Sequence, residues 1–246
     1  MFRREARALA ALIALGLASP AAAQALTCRV PERITLPRLE RYNPAERRTT
    51  PITRYTLALS WSPSFCEDGR EGFERGSIQC DATRGSFGFT LHGLWPEGAT
   101  RQWPQYCAPV GRVPTNVLRR HMCMTPSPEL LQHEWARHGR CMSRTPADYF
   151  AVAEREYRRV RFPDMRDVRL VNVGDLKAAF VRANPGLTRD MLAVETNRAD
   201  RSLREVRICM DRSFGWAHCP AWQRGAPDSV ALRIVQPRPV SARSGR

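Results

Sequence analysis

The chain predicts a single α+β domain, with a mainly antiparallel central sheet flanked by helices and held by disulfides. Three observations predict it. Segments with period-2 and period-3.6 apolar spacing both occur, without the regular βαβ alternation that builds a parallel sheet. The eight cysteines are an even number with no Cys-x-x-Cys pair, so four disulfides in an oxidising compartment fit better than a zinc or thioredoxin-type motif. A length of 246 residues supports one sizeable core.

Residues 1–25 read as a signal peptide. Arg3, Arg4 and Arg7 give a positive start, Ala8 to Ala18 is apolar but too short to span a bilayer, and Ala21, Ala22 and Ala23 suit a cut after Ala23 or Ala25. No later run is long enough for a membrane span, so the mature chain is predicted to be exported and soluble. Residues 26–53, rich in Pro and Arg, read as an irregular arm pinned at Cys28.

The main domain is predicted over 54–236. Tyr55, Leu57, Leu59 and Trp61 share one face of a first strand. Residues 62–86, with Pro63, Gly69, Gly72, Gly76 and Gly85, read as a long loop. Phe87, Phe89 and Leu91 then share one strand face, which sends Thr90 and His92 to the other, toward a cleft. Helices are predicted at 115–123, Glu129–Arg137, Asp148–Val160 and Asp175–Arg182, and strands at Met191–Glu195, Leu203–Asp211 and Val230–Val235. The basic tail 237–246 has no packing residue beyond Val240 and is expected to be mobile.

The formal charge is +15, and removing residues 1–25 leaves about +13. Such a surface attracts polyanions. Lys177 is the one lysine among 39 basic residues, so a general Arg-for-Lys bias competes with adaptation as the source of this excess. No amphipathic helix with a strong basic face supports a membrane-active protein.

Three of the five histidines fall in two short segments, Phe89-Thr-Leu-His-Gly-Leu-Trp-Pro96 and His133-Glu-Trp-Ala-Arg-His-Gly-Arg-Cys141. Histidine titrates near neutrality, and a neutral imidazole paired with a protonated one can run acid–base chemistry on a phosphodiester. On a regular helix His133, Glu134, Arg137 and His138 fall at about 0°, 100°, 40° and 140°, on one broad side. Zinc proteases use His-Glu-x-x-His. The spacing here is one residue longer, splays the rings by about 140°, and argues against a metal.

The two segments resemble the two active-site signatures of the T2 family of secreted ribonucleases. Arg54-Tyr-Thr-Leu-Ala-Leu-Ser-Trp-Ser-Pro-Ser-Phe-Cys66 is similar to that family's first strand and following loop, particularly in bacterial periplasmic members. The likeness is clear from Arg54 to Cys141 and weaker to Cys219. It implies a T2-like fold and RNA cleavage by transesterification through a 2′,3′-cyclic phosphate. No cofactor or metal is needed, and DNA is excluded because it lacks the 2′-OH. It implies His138 as base, His92 as acid, His133 as phosphate ligand, and Glu134 and Arg137 as stabilisers of the transition state. Trp95 would stack a base and Glu97 would bond a base edge. Trp103 is either a second stacking wall or a packing residue. Broad base tolerance is expected. Family position also implies Cys66–Cys80, Cys107–Cys141 and Cys209–Cys219, which leaves Cys28–Cys123.

Arg137 departs from the lysine usual in the family, through the Arg bias or as altered phosphate geometry with lower turnover. Arg140 replaces a small polar residue, as a phosphate contact or a surface group. His121 is read as a helix-surface residue, His218 as a loop residue, and Trp61 and Trp135 as core anchors. The expected partner is RNA, on a monomer in the periplasm or outside the cell with no obligate protein partner. The competing reading is a catalytically weak or inactive T2-like protein that binds RNA or is toxic.

Overall fold

A computed structural model describes residues 25–67, 76–167 and 169–238. The signal peptide predicted over 1–25 lies outside them except for Ala25. Gly69 and Gly72 and the tail beyond Arg238 also lie outside. The arm is less irregular than expected. Its start, β1 (Ala25–Cys28), pairs antiparallel with β3 (Gly85–Phe87) in a two-stranded sheet.

The central sheet is antiparallel and runs in the order β4 (Phe89–Glu97), β2 (Arg54–Trp61), β6 (Leu203–Met210), β5 (Leu192–Thr196). Its register fixes two faces. Leu57, Leu59 and Trp61 lie opposite Leu94, Leu91 and Phe89 on one side, and Leu57 and Leu59 lie opposite Ile208 and Val206 on the other. All are buried and make the core face. Side chains alternate along a strand, so Thr56, Ser60, Trp95, Glu97, Glu205 and Arg207 turn the other way.

Two strand predictions change. Phe87 does not share a strand with Phe89 and Leu91: the chain breaks at Gly88 and enters a different sheet. The segment Val230–Val235 is not a strand. Its backbone is spent on other turns, with the Val230 carbonyl accepting from Val173 N–H and the Arg233 carbonyl from Leu203 N–H. Ala231 and Arg233 keep single bridges.

The expected loop over 62–86 begins with a helix, α1 (Ser62–Glu67). Pro63 sits in its first turn, where a missing N–H leaves no bond unmade. α2 (Thr115–His121) ends on a buried His121 rather than a surface one, because that face packs on Phe150. α3 (Pro128–Glu134) is capped by Ser127, whose hydroxyl accepts from Leu130 N–H at 3.1 Å. The helix predicted as regular to Arg137 changes pitch at Trp135–Gly139, which is a π-helical turn, and returns to α4 (Arg140–Met142). α5 (Pro146–Arg159) and α6 (Val173–Ala183) cover the core face with Tyr149, Phe150, Tyr157 and Phe180. Trp61 and Trp135 are buried in this core.

Disulfides join Cys28 to Cys123, Cys66 to Cys80, Cys107 to Cys141 and Cys209 to Cys219. The third ties the loop at Tyr106 to the end of the π turn. Replacing Cys107 and Cys141 together by Ala is expected to lower the unfolding free energy by about 2–4 kcal/mol, measured by urea denaturation monitored with tryptophan fluorescence.

Candidate active site

A local irregularity brings His92 to the cleft. Ala58 and Leu59 are adjacent on β2 but lie opposite Gly93 and Leu91, so His92 is the extra residue of a β-bulge. Bulges re-aim a side chain. This one lets Leu91 and Leu94 both reach the core while His92 projects toward the polar face. Its Nδ1 lies 2.6 Å from Glu205 Oε2 on β6, and its Nε2 lies 3.6 Å from Glu134 Oε1.

The π turn brings in the second histidine. Residues five apart splay by about 140° on a regular helix, but a π turn closes i→i+5 bonds and draws them toward one face. His133, Glu134, Arg137 and His138 all line one cleft of about 530 Å³, together with His92, Trp95, Glu97, Trp103 and Arg207. The splay argument against a metal therefore does not apply here. Among the described residues no three His, Cys, Asp or Glu side chains are arranged to hold one. The arginines that share the cleft repel a cation.

Trp95 sits between the two outer histidines. Its ring lies 5.0 Å from His92 and 5.6 Å from His138, and its Nε1 donates to Glu134 Oε2 at 2.8 Å. Glu134 is buried against Gly93, where an added Cβ would stand 1.9 Å from the carboxylate oxygen. Gly139 gives the same close approach between the π turn and the rings of Trp135 and Tyr149.

Electrostatics separate the three imidazoles. For His92 burial lowers the pKa, but the Glu205 hydrogen bond and charge, with Glu134, outweigh it and the net shift is upward. Glu205 is pushed down to about 2: burial opposes this, and the bond to His92 and the charges of His92 and Arg207 prevail. His133 is likewise raised: burial pulls down, and Glu40, 3.1 Å from Nδ1, with Glu134 pulls up. Among the described residues no carboxylate pairs with His138, and its buried Nδ1 has no hydrogen-bond partner; burial with the charges of Arg137, His133, His92 and Arg48 drives its pKa well below the usual 6.5. Glu134 is raised by burial against the opposing pull of His92 and His133.

The remaining predicted site residues are also on the cleft wall. Glu97 is buried and accepts from Thr56 Oγ1 at 3.0 Å, and burial lifts its pKa. Trp103 lines the cleft and is also packed, with the Arg48 guanidinium 4.5 Å over its ring and Gln105 bonded to its Nε1. Arg140 is not part of the wall; it donates to the Ser143 carbonyl. His218 is an exposed loop residue paired with Asp190.

Sequence reasoning missed Glu205, Arg207, Glu40, Arg48 and Trp222. The first two had a signal: Val206, Ile208 and Met210 fix the core face of their strand, so Glu205 and Arg207 must share the face of His92. Trp222, about 40% exposed, stands on the cleft wall beyond the last disulfide.

The Ribonuclease T2 family model matches residues 52–219. The chain belongs to the ribonuclease T2 family. A probable ribonuclease of Haemophilus influenzae is 31% identical over 179 residues, 69% of this chain and 61% of that protein. A ribonuclease of Aeromonas hydrophila is 30% identical over 166 residues, 64% of this chain and 71% of that one. The match thus spans less than two thirds of the Haemophilus relative. Among solved T2 structures, an RNase-related protein from Calystegia sepium shares the fold with a TM-score of 0.57 at 20% identity, over 76% of this chain and 98% of that one. RNase NT, solved with 5′-AMP, aligns with a TM-score of 0.54 at 17% identity, over 75% and 98%.

Three outcomes follow from this T2 site. Glu205→Gln removes the charge that holds the His92 proton, so the His92 pKa read by NMR titration should fall. The His92–Glu205 pair stabilises the fold most between about pH 4.5 and 6.5; that contribution is lost as pH rises through the raised His92 value and as it falls toward the lowered Glu205 value of about 2. Gly93→Ala should displace Glu134 and lower stability by about 1–3 kcal/mol in denaturant titration.

Proposed function

We propose that the chain is an exported endoribonuclease that cuts single-stranded RNA by metal-independent transesterification. The observation that carries this reading is the unequal environment of two imidazoles in one cleft. The surroundings favour the neutral form of His138 and the protonated form of His92, which is the pairing a base and an acid require.

His138 takes the proton of the ribose 2′-OH as its oxygen attacks the adjacent phosphorus. The P–O5′ bond then breaks, and His92 gives its Nε2 proton to the leaving oxygen. The products are a 2′,3′-cyclic phosphate and a free 5′-hydroxyl. His133, whose protonated form Glu40 favours, binds a non-bridging phosphate oxygen. Arg137 adds positive charge where negative charge grows, and the high-pKa carboxyl of Glu134 steadies Trp95 and His92. The arginine keeps the charge of the family's lysine and has a planar fork that fits a phosphate.

Trp95 and Trp103 offer base-stacking surfaces, each worth about 1–3 kcal/mol, and Glu97 offers an acceptor for a base edge. Stacking accepts every base, so broad tolerance is expected. The 5′-AMP held by RNase NT supports a nucleotide-sized cleft. Export to the periplasm or beyond fits the leader-like residues 1–25 and the four disulfides, with 26–53 as an arm, 54–236 as the catalytic domain and a basic tail. No helix among the described residues is long and apolar enough to cross a membrane. The non-cleaving RNA-binding alternative has no observation in its favour.

On a defined oligoribonucleotide the protein should yield cyclic-phosphate ends and keep its activity in EDTA. His92→Ala and His138→Ala should each lower kcat/KM by about 10²–10⁴-fold. The rate should fall on the acid side as His138 gains a proton below pH 6.5, and on the alkaline side as His92 loses one above it. Absence of cyclic ends with all four bases, or near-full activity of either variant, overturns the reading.

A further inference from the structure

The arm lies almost wholly outside the stretch matched by the family model, which begins at residue 52, yet it is fastened to the domain at several points. Cys28 is joined to Cys123 at its start. Arg119 donates to the Pro31 carbonyl at 3.1 Å, and the Arg38 N–H donates to the Glu129 carboxylate. The backbones of Arg48 and Gln105 exchange two hydrogen bonds at 3.0 Å.

Between these fastenings Glu40 reaches the site. Its Oε1 accepts from the Tyr106 hydroxyl at 2.6 Å, and its two oxygens lie 3.2 and 3.1 Å from His133 Nδ1. Tyr106 is itself placed by a left-handed backbone (φ 47°), by its N–H bond to the Arg137 carbonyl and by the neighbouring Cys107–Cys141 disulfide. Two rigid anchors thus aim one carboxylate at one ring nitrogen. With Nδ1 engaged, Nε2 is the nitrogen left for a ligand. A carboxylate on one imidazole nitrogen fixes the ring's orientation and tautomer and makes the other nitrogen a better-aimed partner, as in histidine sites generally.

We propose that Glu40, supplied by the arm, is a positioning residue that holds His133 with its Nε2–H turned into the cleft to receive a phosphate oxygen. This inference rests on the proposed role of His133 as the phosphate ligand. A tie of this kind acts on substrate affinity more than on the chemical step, because His133 transfers no proton in the reaction.

The test is a double-mutant cycle on the full protein with Glu40→Gln, His133→Ala and the pair. It reads kcat and KM on a defined oligoribonucleotide and the inhibition constant of inorganic phosphate. Glu40→Gln should raise KM and the phosphate inhibition constant by roughly tenfold, the scale of one hydrogen bond to a charged group, with kcat changed by less than about threefold. In the His133→Ala background Glu40→Gln should add nothing. Tyr106→Phe, which removes one anchor of the carboxylate, should give a smaller rise of the same kind and serves if Glu40→Gln fails to fold. Additive effects in the cycle would reduce Glu40 to a general structural contact and overturn the proposal. Tighter phosphate binding by Glu40→Gln would make the carboxylate a competitor of phosphate and also overturn it. If His133→Ala binds phosphate like the wild type, the reading of His133 fails and this one with it. If His133→Ala weakens phosphate while Glu40→Gln does not, only the role of Glu40 fails.

Discussion

Three imidazoles share one cleft, and carboxylates are given to two of them. Glu205 holds His92 and Glu40 holds His133, while His138 faces arginines and other imidazoles, its inner nitrogen unpartnered among the described residues. Burial alone would drive all three toward the neutral form. The placement of two acidic side chains, each from an element remote in sequence, favours the protonated forms of His92 and His133 over that of His138. The proposed chemistry rests on that asymmetry as well as on the histidines being close together.

Two departures from regular secondary structure make the arrangement possible. The bulge at His92 lets one strand serve the core with Leu91 and Leu94 and still deliver an imidazole to the opposite face. The π turn at Trp135–Gly139 brings His138 round to the side of His133 while Trp135 and Ala136 remain in the core. Glycines stand where each irregular element meets its neighbour. Gly93 admits the Glu134 carboxylate, and Gly139 admits the rings of Trp135 and Tyr149. The polar face of the sheet supplies the rest, with Glu205 and Arg207 carried on β6 beside β2.

Much of this was legible in the sequence. Apolar alternation marked β2 and β6, helical spacing marked α5 and α6, and the two histidine segments named six cleft residues directly. Legibility failed where a local signal had two physical meanings. Pro63 reads as a loop breaker and is equally at home in a first helical turn. The β-branched run near Val230 reads as a strand, but its backbone groups are taken by the ends of α6 and β6. His121 looked like a surface residue because nothing in its own segment shows that Phe150 packs on it. The arm carried no periodicity at all, so Glu40 had no sequence signal. Its importance comes only from a tertiary contact 93 residues away.

The π turn has a consequence for how such a site can vary. One residue along a helix is a rotation of about 100°. Adding a single residue between His133 and His138 would swing His138 away from the cleft while leaving every side chain of the segment chemically intact. Substitutions there change the strength of individual contacts, as the arginine at 137 illustrates. A further insertion breaks the geometry outright, so the segment's length constrains its evolution as well as its composition.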